Sequence, residues 1–267
     1  MSEWPNDLAT AIYAVASGKG GVGKSTVTAN LAVALAGAGK RVGVLDADVW
    51  GYSIPGLFGV CENPRVVDGR MVPLRAHGVA LMSVGFLVPE GAPVMWRGPM
   101  LHKALEQFLL DVAWGELDVL LLDLPPGTGD IQLSLLELLP TAALVAVTTP
   151  QPAAHSVAAR VVTMARDAGL PIAGVVENMS SAVCASCGDH TDLFGSGGGA
   201  RLAELAGAAL LGQVPLDRAA RLAGDRGVPV VLDDPDAASA RVLADVAARL
   251  PVLRPSLVGR ALPLSVV

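Results

Sequence analysis

The chain has 267 residues, of which 52% are hydrophobic, 30 are glycine and only 4% aromatic. That composition supplies a large aliphatic core and excludes global disorder, and the length suits one doubly wound domain. Nineteen basic residues against 25 acidic give a formal charge of −6 with Lys and Arg scattered, which argues against a nucleic-acid partner. No uncharged apolar run approaches the roughly 18 residues that span a bilayer, and the first seven residues are acidic where a signal peptide is basic and then apolar. We therefore expect a cytoplasmic protein with no membrane partner. Three cysteines do not make a disulfide framework.

In chain order, short apolar runs at residues 12–17, 42–46, 79–82, 119–123, 144–148, 172–178 and 210–214 are predicted as buried strands. Helical periods lie between them, at residues 24–38 and at 100–112, where Leu101, Leu105, Phe108 and Val112 share a face. The alternation predicts an α/β fold: a doubly wound, mostly parallel sheet flanked by helices on both faces, with its ligands at the carboxyl ends of the strands. Residues 1–10 read as an N-terminal extension, 11–253 as the α/β domain with a Gly-rich loop at 179–199, and 254–267 as a tail with two prolines and no helical period.

The first of the rich loops is Gly18-Lys19-Gly20-Gly21-Val22-Gly23-Lys24-Ser25, followed by Thr26. It fits G-x-x-x-x-G-K-[ST] and stands between a strand and a helix, where a phosphate loop must stand. Its glycines let successive N–H groups converge on an anion, and the helix N-terminus adds partial positive charge. Lys24 is expected on the β- and γ-phosphates of ATP and Ser25 on Mg2+. Lys19 makes the loop resemble the deviant Walker A signature of the MinD/ParA/nitrogenase-iron-protein class. The resemblance implies that Lys19 reaches the nucleotide of a second subunit, a charge clamp supplied in trans.

Two acidic strand ends follow, Asp46-Ala47-Asp48 and Asp123-Leu124-Pro125-Pro126-Gly127-Thr128-Gly129-Asp130. Asp123 is expected to hold water on the magnesium, and Asp48, by likeness to the same class, to position the attacking water. Asp46 and Asp130 read equally well as helix caps. The Pro-Pro-Gly-Thr-Gly run has the makeup of a switch that senses the γ-phosphate.

Cys184-Ala185-Ser186-Cys187 is a C-x-x-C pair, which by itself fits thiol redox chemistry, half a zinc site or an iron–sulfur ligand set. A thioredoxin-like pair starts a helix in a βαβ unit, whereas this one lies in the Gly-rich stretch. Zinc stays open through Cys184, Cys187, His190 and the neighbouring Asp189. A cubane cluster takes four thiolates, and a homodimer that apposes two such loops supplies them. The same two-fold would serve Lys19. Cys61 reads as structural, and His77, His102 and His155 as packing or surface residues.

Taken together, these stretches resemble the Mrp/ApbC family of P-loop iron–sulfur cluster carrier ATPases. The likeness runs from about Ala11 to Asp217 and rests on residues 17–26, 46–55, 95–100, 117–130, 148–151, 177–180, 184–188, 194–199 and 212–216. It implies a [4Fe–4S] cluster bridged between subunits by Cys184 and Cys187 and passed to apo iron–sulfur proteins, with ATP hydrolysis coupled to loading or release. It also implies that Asn178 and Pro215 border the adenine. Departures are Ala185 and Tyr52, where the family commonly has proline, and the short stretch before the first strand, where many bacterial members carry a small domain. Two other readings share the loop: a MinD/ParA-like positioning ATPase with a structural zinc or no cluster, and a reductase like the nitrogenase iron protein. The tail has too many prolines for an amphipathic membrane anchor, and the reductase spaces its cluster cysteines much further apart.

Overall fold

The computed structural model describes residues 8–49, 51–87, 98–128, 132, 138–184 and 186–253, and the statements below concern these. The chain runs through β1 (Ala9–Ser17), α1 (Lys24–Gly37), β2 (Val42–Asp46), α2 (Ile54–Leu57), β3 (Arg65–Val67), β4 (Arg70–Val72), β5 (Leu74–Ala76) and β6 (Val79–Ser83). After α3 (Gly98–Leu110) come β7 (Leu117–Asp123), β8 (Ala143–Thr148), α4 (Pro152–Asp167), β9 (Ile172–Val183) and β10 (His190–Thr191). The last elements are α5 (Gly198–Ala206), β11 (Leu210–Leu216), α6 (Arg218–Asp225), α7 (Val230–Asp233) and α8 (Ala238–Arg249).

All seven predicted strands are present, as β1, β2, β6, β7, β8, β9 and β11. They form the parallel body of a nine-stranded sheet in which β10, β9, β8, β1, β7, β2, β6 and β5 are neighbours in that order, β11 pairs with β9, and β5 and β10 are antiparallel. Alternation along β1 explains the layers. Ile12, Ala14 and Ala16 pack with Leu105, Phe108, Val161 and Leu202 on one face, while Tyr13 and Val15 pack with Leu31, Val33, Leu243 and Val246 on the other. Thus α3, α4 and α5 cover one side and α1 and α8 the other. The connection from β7 to β8 steps across β1, so the sheet reverses its order beside β1 and opens a crevice at the carboxyl end of that strand.

Two expectations are corrected. The stretch 179–199 is not loop throughout: β9 continues to Val183, with Asn178 paired to Val214 of β11 and Ala182 paired both to Leu216 of β11 and to Thr191 of β10. The helix expected at 100–112 spans Gly98–Leu110, with Leu105, Phe108 and Val112 buried as expected; the side chain of Leu101 lies outside the described residues. A hairpin of β3 and β4 is additional, turning at Asp68-Gly69 with φ of 51° and 76°, the paired left-handed angles of a two-residue hairpin turn. Asp130 and the 254–267 tail lie outside the described residues.

Candidate nucleotide and thiol sites

Every loop residue from Lys19 to Thr26, together with Ser17, Asp48, Gly51, Ser53 and Pro126, lines a cleft of about 380 Å³ at the end of β1. Gly18 lies behind it. A Cβ there would sit 2.3 Å from the backbone nitrogen of Ala158 in α4, so only glycine lets that helix close on the loop. Gly23 caps α1 in the left-handed conformation, φ 80°, and its bare Cα admits the Asn178 amide, which donates to the Val22 carbonyl at 2.8 Å. A side chain of β9 therefore grips the phosphate loop. Neither Asn178 nor the buried Pro215 lines the cleft.

Parallel register places Val15, Asp123 and Asp46 side by side on β1, β7 and β2. Lys24, 5% exposed, points its ammonium at Asp123 Oδ2, 2.7 Å away, and at Asp48 Oδ2, 3.6 Å away. Asp123 has no exposure at all and is satisfied on both oxygens: Oδ2 also accepts from Ser25 Oγ at 2.5 Å, and Oδ1 from Thr28 Oγ1 at 2.7 Å. A serine hydroxyl beside a carboxylate is a hard-oxygen pair that suits Mg2+ in a phosphate site. Thr28 escaped the sequence reading, although its place one turn after Lys24 was the available signal.

Asp46, the second strand-end carboxylate, is fully buried. Its Oδ1 accepts from the Asp48 backbone N–H at 3.1 Å, and its Oδ2 from Ser83 Oγ at 3.0 Å and from the Ile54 N–H at 3.4 Å. Burial, and after it the charge of Asp123, push its carboxyl up to about 8. Of the two roles left open for Asp46, the geometry shows a cap on the turn that leads from β2 through Asp48 into α2. Lys19 donates to Gln151 Oε1 at 2.9 Å, a partner the sequence did not single out.

Cys184 and Cys187 stand at the tip of the β9–β10 hairpin, exposed and free, as is Cys61. The turn is closed by the Cys184 N–H on the Asp189 carbonyl and the Gly188 N–H on the Cys184 carbonyl, both 2.9 Å. Backbone N–H groups of Ser186 and Cys187 aim at the Cys184 sulfur and hold its thiol below the usual range, which favours the thiolate that binds metals. His190 does not join the pair: its Nδ1 faces Ser181 Oγ at 3.1 Å, and among the described residues no group of three or more His, Cys, Asp or Glu side chains is placed around one metal ion. Among the described residues, then, no third side chain stands with Cys184 and Cys187. Also among the described residues, no helix is long and apolar enough to cross a membrane.

Against known proteins, residues 9–251 match the ParA family profile described as NUBPL iron-transfer P-loop NTPase. The iron-sulfur cluster carrier protein of Mycobacterium tuberculosis is 51% identical over 264 residues, which cover 97% of this chain and 69% of that one. Among solved structures, a nucleotide-binding protein from Archaeoglobus fulgidus in complex with ADP superposes with a TM-score of 0.76 at 40% identity, covering 86% of this chain and 91% of the other. The septum site-determining protein MinD of Pyrococcus horikoshii with Mg-ADP shares the fold at a TM-score of 0.66 and 22% identity, over 89% and 94% of the two chains.

Proposed function

This chain belongs to the ParA family of NUBPL-type iron-transfer P-loop NTPases, and from that premise we propose that it is an ATP-driven carrier of [4Fe–4S] clusters. Two copies hold one cluster between them through Cys184 and Cys187 and surrender it to apo iron–sulfur proteins in the reducing cytoplasm. The observation that carries this reading is the course of β9: the strand whose Asn178 grips the phosphate loop ends, six residues on, in the exposed thiol pair.

The chemistry follows from the residues. N–H groups of Gly20 to Ser25 and the Lys24 ammonium bind the phosphates of ATP, and Asp48 orients the attacking water. Ser25 and, through water, Asp123 would hold Mg2+, which when bound would supply charge neutralisation to the phosphates. Lys24 is already set among carboxylates, so an entering phosphate exchanges one anionic partner for another without burying a bare charge. Lys19 belongs to the nucleotide of the partner chain, so hydrolysis is slow until two chains meet. At the other end of β9, one chain supplies two thiolates and a cubane takes four. Pairing of chains completes both sites, and hydrolysis, which loosens the phosphate loop, acts on the hairpin through Asn178 and β9. The exposed position of the thiols suits a cargo that leaves.

The test is transfer from the reconstituted protein to the apo form of a [4Fe–4S] ferredoxin, followed by the acceptor's spectrum. Mg-ATP is expected to change the transfer rate by roughly fivefold or more, the ordinary size of a coupling between sites. A rate indifferent to Mg-ATP contradicts the coupling, and an acceptor that stays empty contradicts the carrier role.

A further inference from the structure

The contact between Lys19 Nζ and Gln151 Oε1 is imposed by the fold around it. Ser17 Oγ donates to the Lys19 carbonyl at 3.1 Å and fixes the backbone on one side. On the other, Gln151 opens α4, its carbonyl accepting from the Ala154 and His155 N–H groups, and α4 is pressed against the phosphate loop at Gly18. The Gln151 side chain does not cap its own helix, so it is turned to the loop instead. Among the described residues Lys19 has no carboxylate within ion-pair distance.

The strength of this contact is as informative as its existence. A neutral amide is a weaker acceptor for an ammonium than a carboxylate or a phosphate, which adds its own charge to the bond. Its place at a helix N-terminus weakens the hold further, because the helix dipole disfavours a cation there. Lys19 is thus kept in order by an acceptor that a phosphate outcompetes.

We infer that Gln151 is a positioning residue for the ATPase: it keeps the Lys19 ammonium within its own chain until the nucleotide of a second chain offers a charged acceptor, and so sets the threshold for ATP-dependent pairing. This rests on the two-chain reading proposed above. A hydrogen bond of ordinary net strength is worth roughly fivefold in an equilibrium constant. A symmetric pair frees two lysines, so loss of the hold tightens pairing by about 25-fold.

The experiment measures the dissociation constant of the pair by sedimentation of the full chain with Mg2+ and a non-hydrolysable ATP analogue. It compares wild type with Gln151→Leu and Gln151→Glu, with thermal unfolding to confirm that each variant is folded. Gln151→Leu is expected to pair at lower protein concentration than wild type and Gln151→Glu at higher. Opposite shifts are not produced by mere loosening of α4. A second readout needs no pairing: without nucleotide, an amine acylating reagent should label Lys19 faster in Gln151→Leu and slower in Gln151→Glu, scored by peptide mass spectrometry. If wild type pairs and both variants match it, with equal labelling of Lys19, the inference is overturned and the two-chain reading stands. If wild type does not pair with the analogue at all, the two-chain reading falls and takes the inference with it.

Discussion

Asp46 shows how much one buried side chain decides. It carries no exposure, fastens the Asp48 backbone and the start of α2 to Ser83 at the end of β6, and lies in register with Asp123. With its carboxyl pushed up to about 8 from an ordinary 3.8, the folded chain keeps a proton there that the unfolded chain releases. Between those two values the unfolded state binds fewer protons, so stability falls as pH rises and levels off above about 8. In magnesium- and nucleotide-free protein, urea unfolding from pH 4 to 9 should show wild type losing stability relative to Asp46→Asn as pH rises, by at most about 1.4 kcal/mol per pH unit. A difference that is flat in pH, or that grows in favour of wild type, would sink this account of Asp46. The sequence marked this residue as a strand-end carboxylate but left its role open, because the decisive partner, Ser83, is 37 positions away. Lys24 and Ser25 were legible from the spacing of the phosphate loop and Asp123 from its place at the end of an apolar strand, and the structure brings the three side chains together. Asn178 was marked for the adenine through resemblance, and the structure adds the hydrogen bond from its amide to the Val22 carbonyl.

At the scale of elements, the phosphate loop is held from three directions: α1 grows out of it, β9 reaches it through Asn178, and α4 presses on Gly18. The last contact distinguishes two neighbouring glycines. A Cβ on Gly18 would meet backbone of α4 at 2.3 Å, which no rotamer change relieves, while one on Gly20 would find only Pro126 Cγ at 3.9 Å. Gly18→Ala is therefore expected to destabilise the chain by about 1–3 kcal/mol or more and Gly20→Ala by less than about 0.5 kcal/mol, both read from urea midpoints. Equal effects would mean that α4 does not pack on the loop as described. Most of the parallel strands were legible because they are buried on both faces and so read as unbroken apolar runs, as in β2 and β8. The hairpin of β3 and β4 is exposed and went unread, though Asp68-Gly69 between short β-branched runs was its signal. The outer end of β9 was hidden for a different reason: Ser180 and Ser181 interrupt the apolar run, and the pairing of Ala182 with β10 and β11 is made by segments distant in sequence.

At the scale of the whole molecule, both functional sites are half-built in one chain. The phosphate cleft has its lysine, serine and carboxylates but keeps Lys19 turned to its own Gln151, and the hairpin tip offers two thiols with no third side chain placed to complete a metal site among the described residues. In the pairing we propose, one two-fold axis would resolve both shortfalls, and β9 joins the sites within each chain. Symmetry of this kind is the part of the proposal that neither motif spacing nor a single folded chain contains, because the ligands it calls on would belong to another copy. The most direct test is anaerobic reconstitution with iron and sulfide of wild type beside a Cys184→Ala, Cys187→Ala double variant, with iron, sulfide and molecular mass measured on the same sample. The account predicts roughly four iron and four sulfide per pair of chains, present only in the paired species and absent from the variant. A cluster retained by single chains or by the double variant, or a protein that takes up zinc at one per chain and no iron–sulfur cluster, would contradict it.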